Sequence, residues 1–263
     1  MIDEIIAQFR PISLNEMKGI RLMNRIDTKF VTTMPSLLQL LRMACHEYQV
    51  QEIGKKRIAA YHTLYFDTPL CEMYLHHHNG WLSRQKVRIR SYLDSGQSFL
   101  EVKTKNNHRR TKKKRMPIQD HNVLNVSPGM WFQDQDERFA EYSSFLRCHL
   151  AYDPESLVVE IENNFKRITL VNRAKTERVT IDTSVCFHNA VTGQRLGLGN
   201  LAIIELKRNR VQYSPILEML RQLRIKPTGF SKYCMGCAMT NPSLKCNRFK
   251  EQIHAISKLA AQQ

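Results

Sequence analysis

The stretch from Arg84 to Lys105 could bind an anion because its charged residues occupy every second position. Successive side chains of an extended strand point to opposite faces. The first half therefore presents four cations on one face: Arg84, Lys86, Arg88 and Arg90. After a turn signal at 94–96, the second half presents Phe99, Glu101, Lys103 and Lys105 on one face. The opposite face carries the apolar residues Val87, Ile89, Leu100 and Val102, so the stretch predicts a β-hairpin with one basic face.

Arginine forks and lysine ammonium groups suit phosphate oxygens, which makes phosphate binding the expected chemistry. The chain has 40 Lys and Arg against 24 Asp and Glu, with a formal charge of +16 and a pI near 9.7. This balance favours nucleic acid, an anionic membrane, a nucleotide or a phosphate polymer as partner. Aromatic residues are not interleaved with the basic ones as base stacking requires, so we expect no specific nucleic-acid partner.

Further strands and helices must position this hairpin. Residue alternation and β-rich composition predict strands, while helical spacing and capping signals predict helices. Besides the hairpin, the predicted strands cover residues 24–32, 57–66, 157–171, 176–187 and 201–207. The predicted helices cover residues 3–9, 13–20, 35–48, 70–80, 134–149, 215–223 and 247–259. No linker or internal repeat separates them, so we expect residues 1–263 to form a single domain.

Several predicted strands repeat the hairpin's design, with charge on one face and apolar residues on the other. Their charged faces add Arg25, Asp27, Lys29, Arg167, Arg178, Asp182, Glu205 and Lys207. A sheet whose apolar face packs under helices and whose charged face turns inward is a barrel with a polar lumen. Each desolvated ion costs several kcal/mol, so the inward cations need a counter-ion, which a phosphate-rich ligand supplies. We predict an α+β fold: an antiparallel β-barrel, or tunnel, with a polar, basic lumen and flanking helices.

Two further features have alternative interpretations. The basic segment 108–115 is typical of a nucleic-acid patch, but most charge runs are solvated surface. The run from His76 to His78 could bind a metal, although a surface helix end or loop is the commoner setting.

The cysteines predict reduced thiols. There are seven, an odd and scattered number, and the CxxC of Cys234 and Cys237 with Cys246 completes no standard zinc pattern. We see no signal peptide, and no run approaches the roughly 18 apolar residues of a membrane span. The predicted setting is therefore cytoplasmic.

Nine short segments along the chain resemble, in the same order, those of the VTC domain. This is the polyphosphate polymerase domain of the vacuolar transporter chaperone complex and its bacterial relatives, within the triphosphate tunnel metalloenzyme superfamily. The resemblance runs from about residue 20 to residue 240. Its segments are NRIDTKF (24–30), YFDT (65–68), KVRIR (86–90), FLEVKTK (99–105), TKKKR (111–115), FKRITLVN (165–172), ERVTID (177–182), IIELK (203–207) and GFSKY (229–233).

The resemblance implies a tunnel of antiparallel strands that transfers the terminal phosphate of ATP to a growing polyphosphate chain. It implies a divalent metal, typically manganese with magnesium as the other candidate, and one metal ligand, Glu205. The implied catalytic residues are Arg88, Arg90, Lys103, Arg167 and Arg178. The implied substrate-binding residues are Lys29, Lys207 and Lys232, to which the hairpin's basic face adds Arg84, Lys86 and Lys105. A further basic position is expected within Lys112 to Arg115. Alternation nominates all of the named residues except Lys232.

The predicted function is therefore a polyphosphate polymerase, a metal-dependent phosphotransferase acting on ATP and polyphosphate. A tunnel triphosphatase that hydrolyses triphosphate or nucleoside triphosphates is the alternative enzyme. It would need more acids facing the lumen than the four that alternation places there: Asp27, Glu101, Asp182 and Glu205. A non-catalytic module that binds polyphosphate or another polyanion is the alternative without chemistry. Any translocation of product would require a membrane partner.

Overall fold

The fold consists of antiparallel strands with helices between them, in a computed structural model that describes residues 1–18, 25–107, 111–118, 132, 137–209 and 213–261. The strands are β1 (Arg10–Ile12), β2 (Arg25–Thr33), β3 (Tyr48–Gln51), β4 (Ile58–Asp67), β5 (Arg84–Tyr92), β6 (Gln97–Lys105), β7 (Thr111–Ile118), β8 (Val158–Asn172), β9 (Glu177–Asn189), β10 (Arg195–Gly197) and β11 (Leu201–Asn209). The helices are α1 (Ile2–Ala7), α2 (Leu14–Lys18), α3 (Met34–Ala44), α4 (Glu72–His78), α5 (Glu137–His149), α6 (Pro215–Gln222), α7 (Lys232–Thr240) and α8 (Lys250–Ala260).

The long strands form one antiparallel sheet in the order β2-β11-β9-β8-β4-β5-β6-β7. Three short strands extend it: β3 pairs with β8, β1 pairs with β3 in parallel, and β10 pairs with β9. The predicted α+β class, antiparallel pairing and flanking helices are thus confirmed.

The predicted closure into a barrel is not found among the described residues, because β2 and β7 end the sheet without pairing with each other. The outer edge of β2 is instead met by the segment 227–229. Thr228 and Gly229 donate their backbone N–H groups to the Lys29 carbonyl, and Phe30 forms an isolated bridge with Pro227. This edge is therefore covered by a loop, while β7 presents exposed lysines. Both devices oppose edge-to-edge pairing.

Apolar residues on one face of the sheet pack under helices, as alternation predicts. Leu37, Leu40 and Leu41 of α3 pack with the outward residues of β8, β9 and β11. Phe139 and Leu146 of α5 pack with those of β4, β5 and β6. The charged side chains of these strands therefore lie on the opposite, inner face.

Helix α7 packs on part of this inner face. Met235 and Cys237 of α7 lie in one cluster with Ile161, Phe187 and Ile203 of the sheet. The packing is close, since a Cβ added at Gly236 would lie 2.8 Å from the Phe187 ring. Apolar residues thus fill one end of the inner face along β8, β9 and β11, and the N-terminus of α7 points towards the charged remainder.

The element predictions differ from the structure mainly where pairing between distant segments decides. The hairpin is confirmed, with Arg84 opposite Lys105. The predicted helix 35–48 ends at Ala44, because Tyr48 begins β3 and pairs with β8. Residues 111–115 of the basic segment 108–115 belong to strand β7. The predictions for 19–24, 108–110, 119–131 and 133–136 lie outside the described residues.

Candidate functional site

The charged residues of the inner face are brought together by cross-strand register. Register places Arg88 opposite Glu101, Arg167 opposite Asp182 and Lys29 opposite Glu205. Directly opposite side chains lie close enough to interact. The predicted catalytic, substrate-binding and metal positions on strands therefore share one face of the sheet.

Glu101 of β6 is fully buried and accepts hydrogen bonds from cations on both neighbouring strands. The Arg88 guanidinium donates to Oε2 through Nε at 2.7 Å and Nη2 at 2.5 Å, and Lys113 Nζ donates to Oε1 at 2.8 Å. Burial raises the pKa of Glu101, but Arg88 and Lys113 outweigh this effect and lower it to about 2. The ionised carboxylate thereby fixes both cations. Lys113 lies within the range Lys112 to Arg115, where the sequence analysis expects a further basic position.

Asp182 of β9 holds a second pair of cations, one from the sheet and one from α7. Arg167 donates through Nε to Oδ1 at 2.6 Å and through Nη2 to Oδ2 at 2.8 Å, and Lys232 also donates to Oδ2. Burial raises the pKa of Asp182, but Arg167 and Lys232 lower it well below its usual range. Lys232 opens helix α7, so the helix delivers a cation that strand alternation could not nominate.

Glu205 of β11 lies between two lysines. Its Oε2 is 3.1 Å from Lys207 Nζ, and its Oε1 is 3.6 Å from Lys29 Nζ. Burial raises the pKa of Glu205, but these lysines, with Arg167 beyond them, lower it well below its usual range. The carboxylate is ionised and shared between neighbouring strands.

These contacts define three carboxylate–cation triads: Glu101 with Arg88 and Lys113, Asp182 with Arg167 and Lys232, and Glu205 with Lys29 and Lys207. Each triad joins two cations to one acid, so each keeps a surplus positive charge. Held in fixed positions, surplus charges of this kind form a preorganised site for an anion.

Arg90 and Lys103 add cations that no carboxylate contacts within the described residues. Arg90 is buried, its Nε lies 3.4 Å from Thr63 Oγ1, and burial together with Arg88 lowers its pKa to about 10. Lys103 lies in register between Lys86 and Lys113. The charge of Arg88, followed by burial, holds the pKa of Lys103 well below its usual range. Both side chains are therefore incompletely compensated without a ligand.

Tyr65 of β4 is an inner-face residue that the sequence reasoning missed. Burial raises its pKa, but Arg88, Arg90 and Lys232 lower it to about 8. The Arg88 Nη1 donates to Tyr65 Oη at 3.3 Å. Alternation within 57–66 could have nominated it, since Tyr61, Thr63 and Tyr65 occupy every second position.

The remaining predicted residues lie towards the two ends of the inner face. Arg178 of β9 lies opposite Lys207. Lys86 donates to Ser231 Oγ at 2.8 Å, and Arg84 donates to the Trp81 carbonyl at 2.5 Å. Lys105 ends β6, opposite Arg84.

A divalent ion could use one protein carboxylate here. No group of three or more His, Cys, Asp or Glu side chains in the described part of the chain is arranged to hold a metal. Magnesium-type ions are commonly bound by one or two carboxylates with substrate phosphates. Among the triad acids, the Glu205 side chain is 20% exposed, against 4% for Asp182 and 0% for Glu101. Glu205 therefore fits this role.

The histidine run has structural contacts. His76 stacks on Trp81 at 3.9 Å, and His78 Nε2 accepts the Arg248 backbone N–H. The cysteines are all free thiols, and Cys71, Cys234 and Cys237 are buried. Burial raises the pKa of the Cys237 thiol, which keeps it protonated and unreactive.

Comparison with solved structures finds similar chains at low sequence identity. A proposed adenylate cyclase of Bacillus halodurans has a TM-score of 0.50 at 13% identity, and the match covers 80% of this chain and 96% of that chain. The proposed adenylyl cyclase HpAC1 from Hippeastrum, described as having a dominant triphosphatase activity, has a TM-score of 0.48 at 17% identity, covering 83% and 97%. The Bacillus structure shows the fold alone: a many-stranded antiparallel sheet with flanking helices.

Comparison with sequences gives the family. No curated protein matches the chain, and the described residues include no helix long and apolar enough to cross a membrane. The family profile of the VTC domain matches residues 24–241. This range contains every residue of the three triads together with Arg90 and Lys103. The chain therefore belongs to the VTC domain family.

Proposed function

We propose that the chain is a polyphosphate polymerase, which transfers the terminal phosphate of ATP to a polyphosphate chain on the basic inner face. The observation that carries the proposal is the three triads, each with surplus positive charge, beside Arg90 and Lys103. A triphosphate brings the negative charge that this surface lacks. Family membership and the phosphate-matched side chains both support this ligand class.

The residues would act by positioning and by charge neutralisation. In phosphoryl transfer, charge spreads over the equatorial oxygens, while the attacking and leaving oxygens stand roughly in line. Arg88 and Arg167 are held rigidly by carboxylates and can present remaining N–H groups to those oxygens without reorganisation. Arg90 and Lys103 supply charge that the protein itself does not compensate.

The acceptor needs little activation. A terminal phosphate oxygen of polyphosphate is already anionic, so the reaction requires no strong general base. The main obstacle is repulsion between two anions, which the cations of the inner face reduce by holding both together. Manganese or magnesium held by Glu205, when bound, would neutralise charge on phosphate oxygens of the substrate.

The direct test is to incubate the protein with ATP and MnCl₂ and to separate long-chain polyphosphate from free phosphate. We expect polymer. Free phosphate alone would indicate a triphosphatase instead, and neither product, with retained tripolyphosphate binding, would indicate a binding module.

Arg90→Gln is the sharpest variant, because it removes a buried cation without leaving a carboxylate unpaired. We expect polymer formation to fall by roughly a hundredfold or more, the usual effect of losing one preorganised donor. Arg88→Ala and Glu205→Ala should also abolish activity. Arg88→Ala is less specific, because it also leaves the buried Glu101 carboxylate without its arginine partner and can impair folding. Lys114→Gln is the matched control, since Lys114 is exposed and alternates with the inward Lys113. An Arg90→Gln protein as active as Lys114→Gln would contradict the proposed role.

A further inference from the structure

Two tyrosine rings, one from β4 and one from α7, are neighbours on the inner face. The ring centroids of Tyr65 and Tyr233 are 5.4 Å apart, and both side chains are buried. Tyr233 donates its hydroxyl hydrogen to Asp67 Oδ2, which also accepts the backbone N–H of Tyr74 at 2.9 Å. The Tyr233 hydroxyl is thus committed as a donor to the carboxylate at the start of α4.

The Tyr65 hydroxyl has the opposite kind of partner. Register places Tyr65 directly opposite Arg88, and Arg88 Nη1 donates to Tyr65 Oη at 3.3 Å. Arg88 gives its Nε and Nη2 hydrogens to Glu101, so Tyr65 meets a separate nitrogen of the guanidinium. The Tyr65 oxygen therefore acts as an acceptor, and its own hydrogen meets no acceptor in the described part of the chain.

Cations surround Tyr65 from two elements. Burial raises the pKa of Tyr65, but Arg88 and Arg90 of β5 and Lys232 of α7 lower it to about 8. Lys86 of β5 is also close enough to interact: burial lowers its pKa, and negative charge on Tyr65 opposes this effect. The charged groups that act on the Tyr65 oxygen from both neighbouring elements are therefore positive.

The carboxylates near Tyr65 already have partners. Glu101 and Asp182 each hold two cations in a triad, and Asp67 is committed to the first turn of α4. Arg90 has no carboxylate contact among the described residues. Tyr65 is therefore placed to change its charge in response to cations that the carboxylates leave uncompensated.

Tyr65 differs in this respect from four other buried tyrosines. Burial is the main influence on Tyr48, Tyr61, Tyr74 and Tyr233, and it raises the pKa of each. At Tyr65 the neighbouring cations outweigh burial. A phenolate that forms near pH 8 therefore distinguishes Tyr65 from these buried rings.

We propose that Tyr65 is a phosphate-binding residue whose protonation is coupled to occupancy of the basic inner face. In the empty site, the phenolate form accepts from Arg88 and supplies negative charge to the neighbouring cations. When a phosphate supplies that charge instead, the phenolate takes up one proton from solvent, and the new O–H group donates to a phosphate oxygen. The inference rests on the proposed function only for the ligand class, a chain of phosphates.

The first test counts the protons taken up when inorganic tripolyphosphate binds, by titration calorimetry in two buffers of different ionisation enthalpy. The phenolate fraction of the empty site is about 0.1 at pH 7, about 0.5 at pH 8 and about 0.9 at pH 9. We expect proton uptake by the parent to exceed that of Tyr65→Phe by about these amounts. Between pH 8 and pH 9, the affinity of the parent should fall about fivefold more than that of Tyr65→Phe.

The comparison with Tyr65→Phe isolates the tyrosine from other titrating groups on this face. Burial lowers the pKa of Lys86 and of Lys232, so these lysines also lose charge as the pH rises. Both are present in the parent and in the variant. Their contributions to proton uptake are therefore removed when the two proteins are subtracted.

The near-ultraviolet absorbance of tyrosinate gives a second readout. We expect a signal with a midpoint near pH 8 that is missing from Tyr65→Phe and that moves to higher pH in saturating tripolyphosphate. Tyr61→Phe is the matched control, because Tyr61 lies on the same strand and face and burial raises its pKa. This control should keep both the signal near pH 8 and the proton uptake of the parent.

Equal proton uptake by the parent and Tyr65→Phe, or a tyrosinate midpoint that tripolyphosphate does not move, would overturn the coupling. The absorbance titration of the parent needs no variant, so it decides the matter even if Tyr65→Phe does not fold. A protein that makes no polyphosphate but shows the coupled uptake refutes the polymerase alone. A protein that makes polyphosphate without this uptake refutes the coupling alone, and a protein that does not bind tripolyphosphate refutes both.

Discussion

Replacing Glu101 by Gln tests the central triad because it keeps the shape of the side chain and removes its charge. Glu101 is 0% exposed and holds Arg88 and Lys113 at 2.5–2.8 Å. Its pKa falls from 4.5 to about 2 on folding. At 1.36 kcal/mol per pKa unit, the ionised carboxylate contributes about 3 kcal/mol to the free energy of unfolding at neutral pH.

Glu101→Gln should lose at least this amount, since breaking a buried ion pair commonly costs about 3–5 kcal/mol. The measurement is urea unfolding at pH 7 and at pH 3. A lowered carboxylate pKa gives stability that is complete above the unfolded value of 4.5 and is lost as pH falls towards 2. The difference in the free energy of unfolding between the parent and Glu101→Gln should therefore be smaller by about 2 kcal/mol at pH 3 than at pH 7.

Glu218→Gln is the matched control. Glu218 pairs with Arg221 at 3.5 Å on the surface of α6, with side chains 47% and 75% exposed. Such exposed pairs contribute about 0–1 kcal/mol. The reasoning fails if Glu101→Gln costs no more than Glu218→Gln at pH 7, or if its cost is the same at pH 7 and pH 3.

Two further predictions concern stability. Burial and neighbouring cations lower the pKa of His77, so between pH 6.5 and 5 the unfolded chain binds a proton there that the folded chain does not. His77→Asn should therefore reduce the loss of unfolding free energy as the pH falls through this range. Unfolding at a series of pH values checks this, and a His77→Asn protein with the parent slope would contradict it. Gly236→Ala should lower the free energy of unfolding by about 1–3 kcal/mol, because the added Cβ would lie 2.8 Å from Phe187. Gly197→Ala, whose Cβ would lie 3.6 Å from Cys186 Sγ, should cost less, and equal losses in the two variants would contradict the packing argument.

The alternation of charged and apolar residues was sufficient to predict which side chains share a face. Side chains in a strand alternate whatever the strand pairs with, so Arg88 and Arg90, or Glu205 and Lys207, must lie together once the segment is extended. The apolar positions between them then decide which face turns towards the helices. The basic inner face therefore followed from the sequence.

The tertiary structure decided which acidic and basic side chains of different elements pair with each other. Register places Glu101 opposite Arg88 on β5, and Lys113 reaches Glu101 from the diagonal position on β7. Alternation within single segments carries no information about register across strands. Lys232 reaches Asp182 because α7 packs on the inner face, and no period within the segment 226–236 indicates this.

Closure of the sheet likewise depended on a distant segment. Alternation shows that strands have a charged face but does not show what meets their edges, so a closed barrel was the natural expectation. Backbone N–H groups of Thr228 and Gly229 satisfy the Lys29 carbonyl at the edge of β2. A backbone carbonyl can be satisfied by any donor that folding brings near it. The sequence by itself determined the basic face, and the three-dimensional contacts decided how that face is bounded and which acids hold its cations.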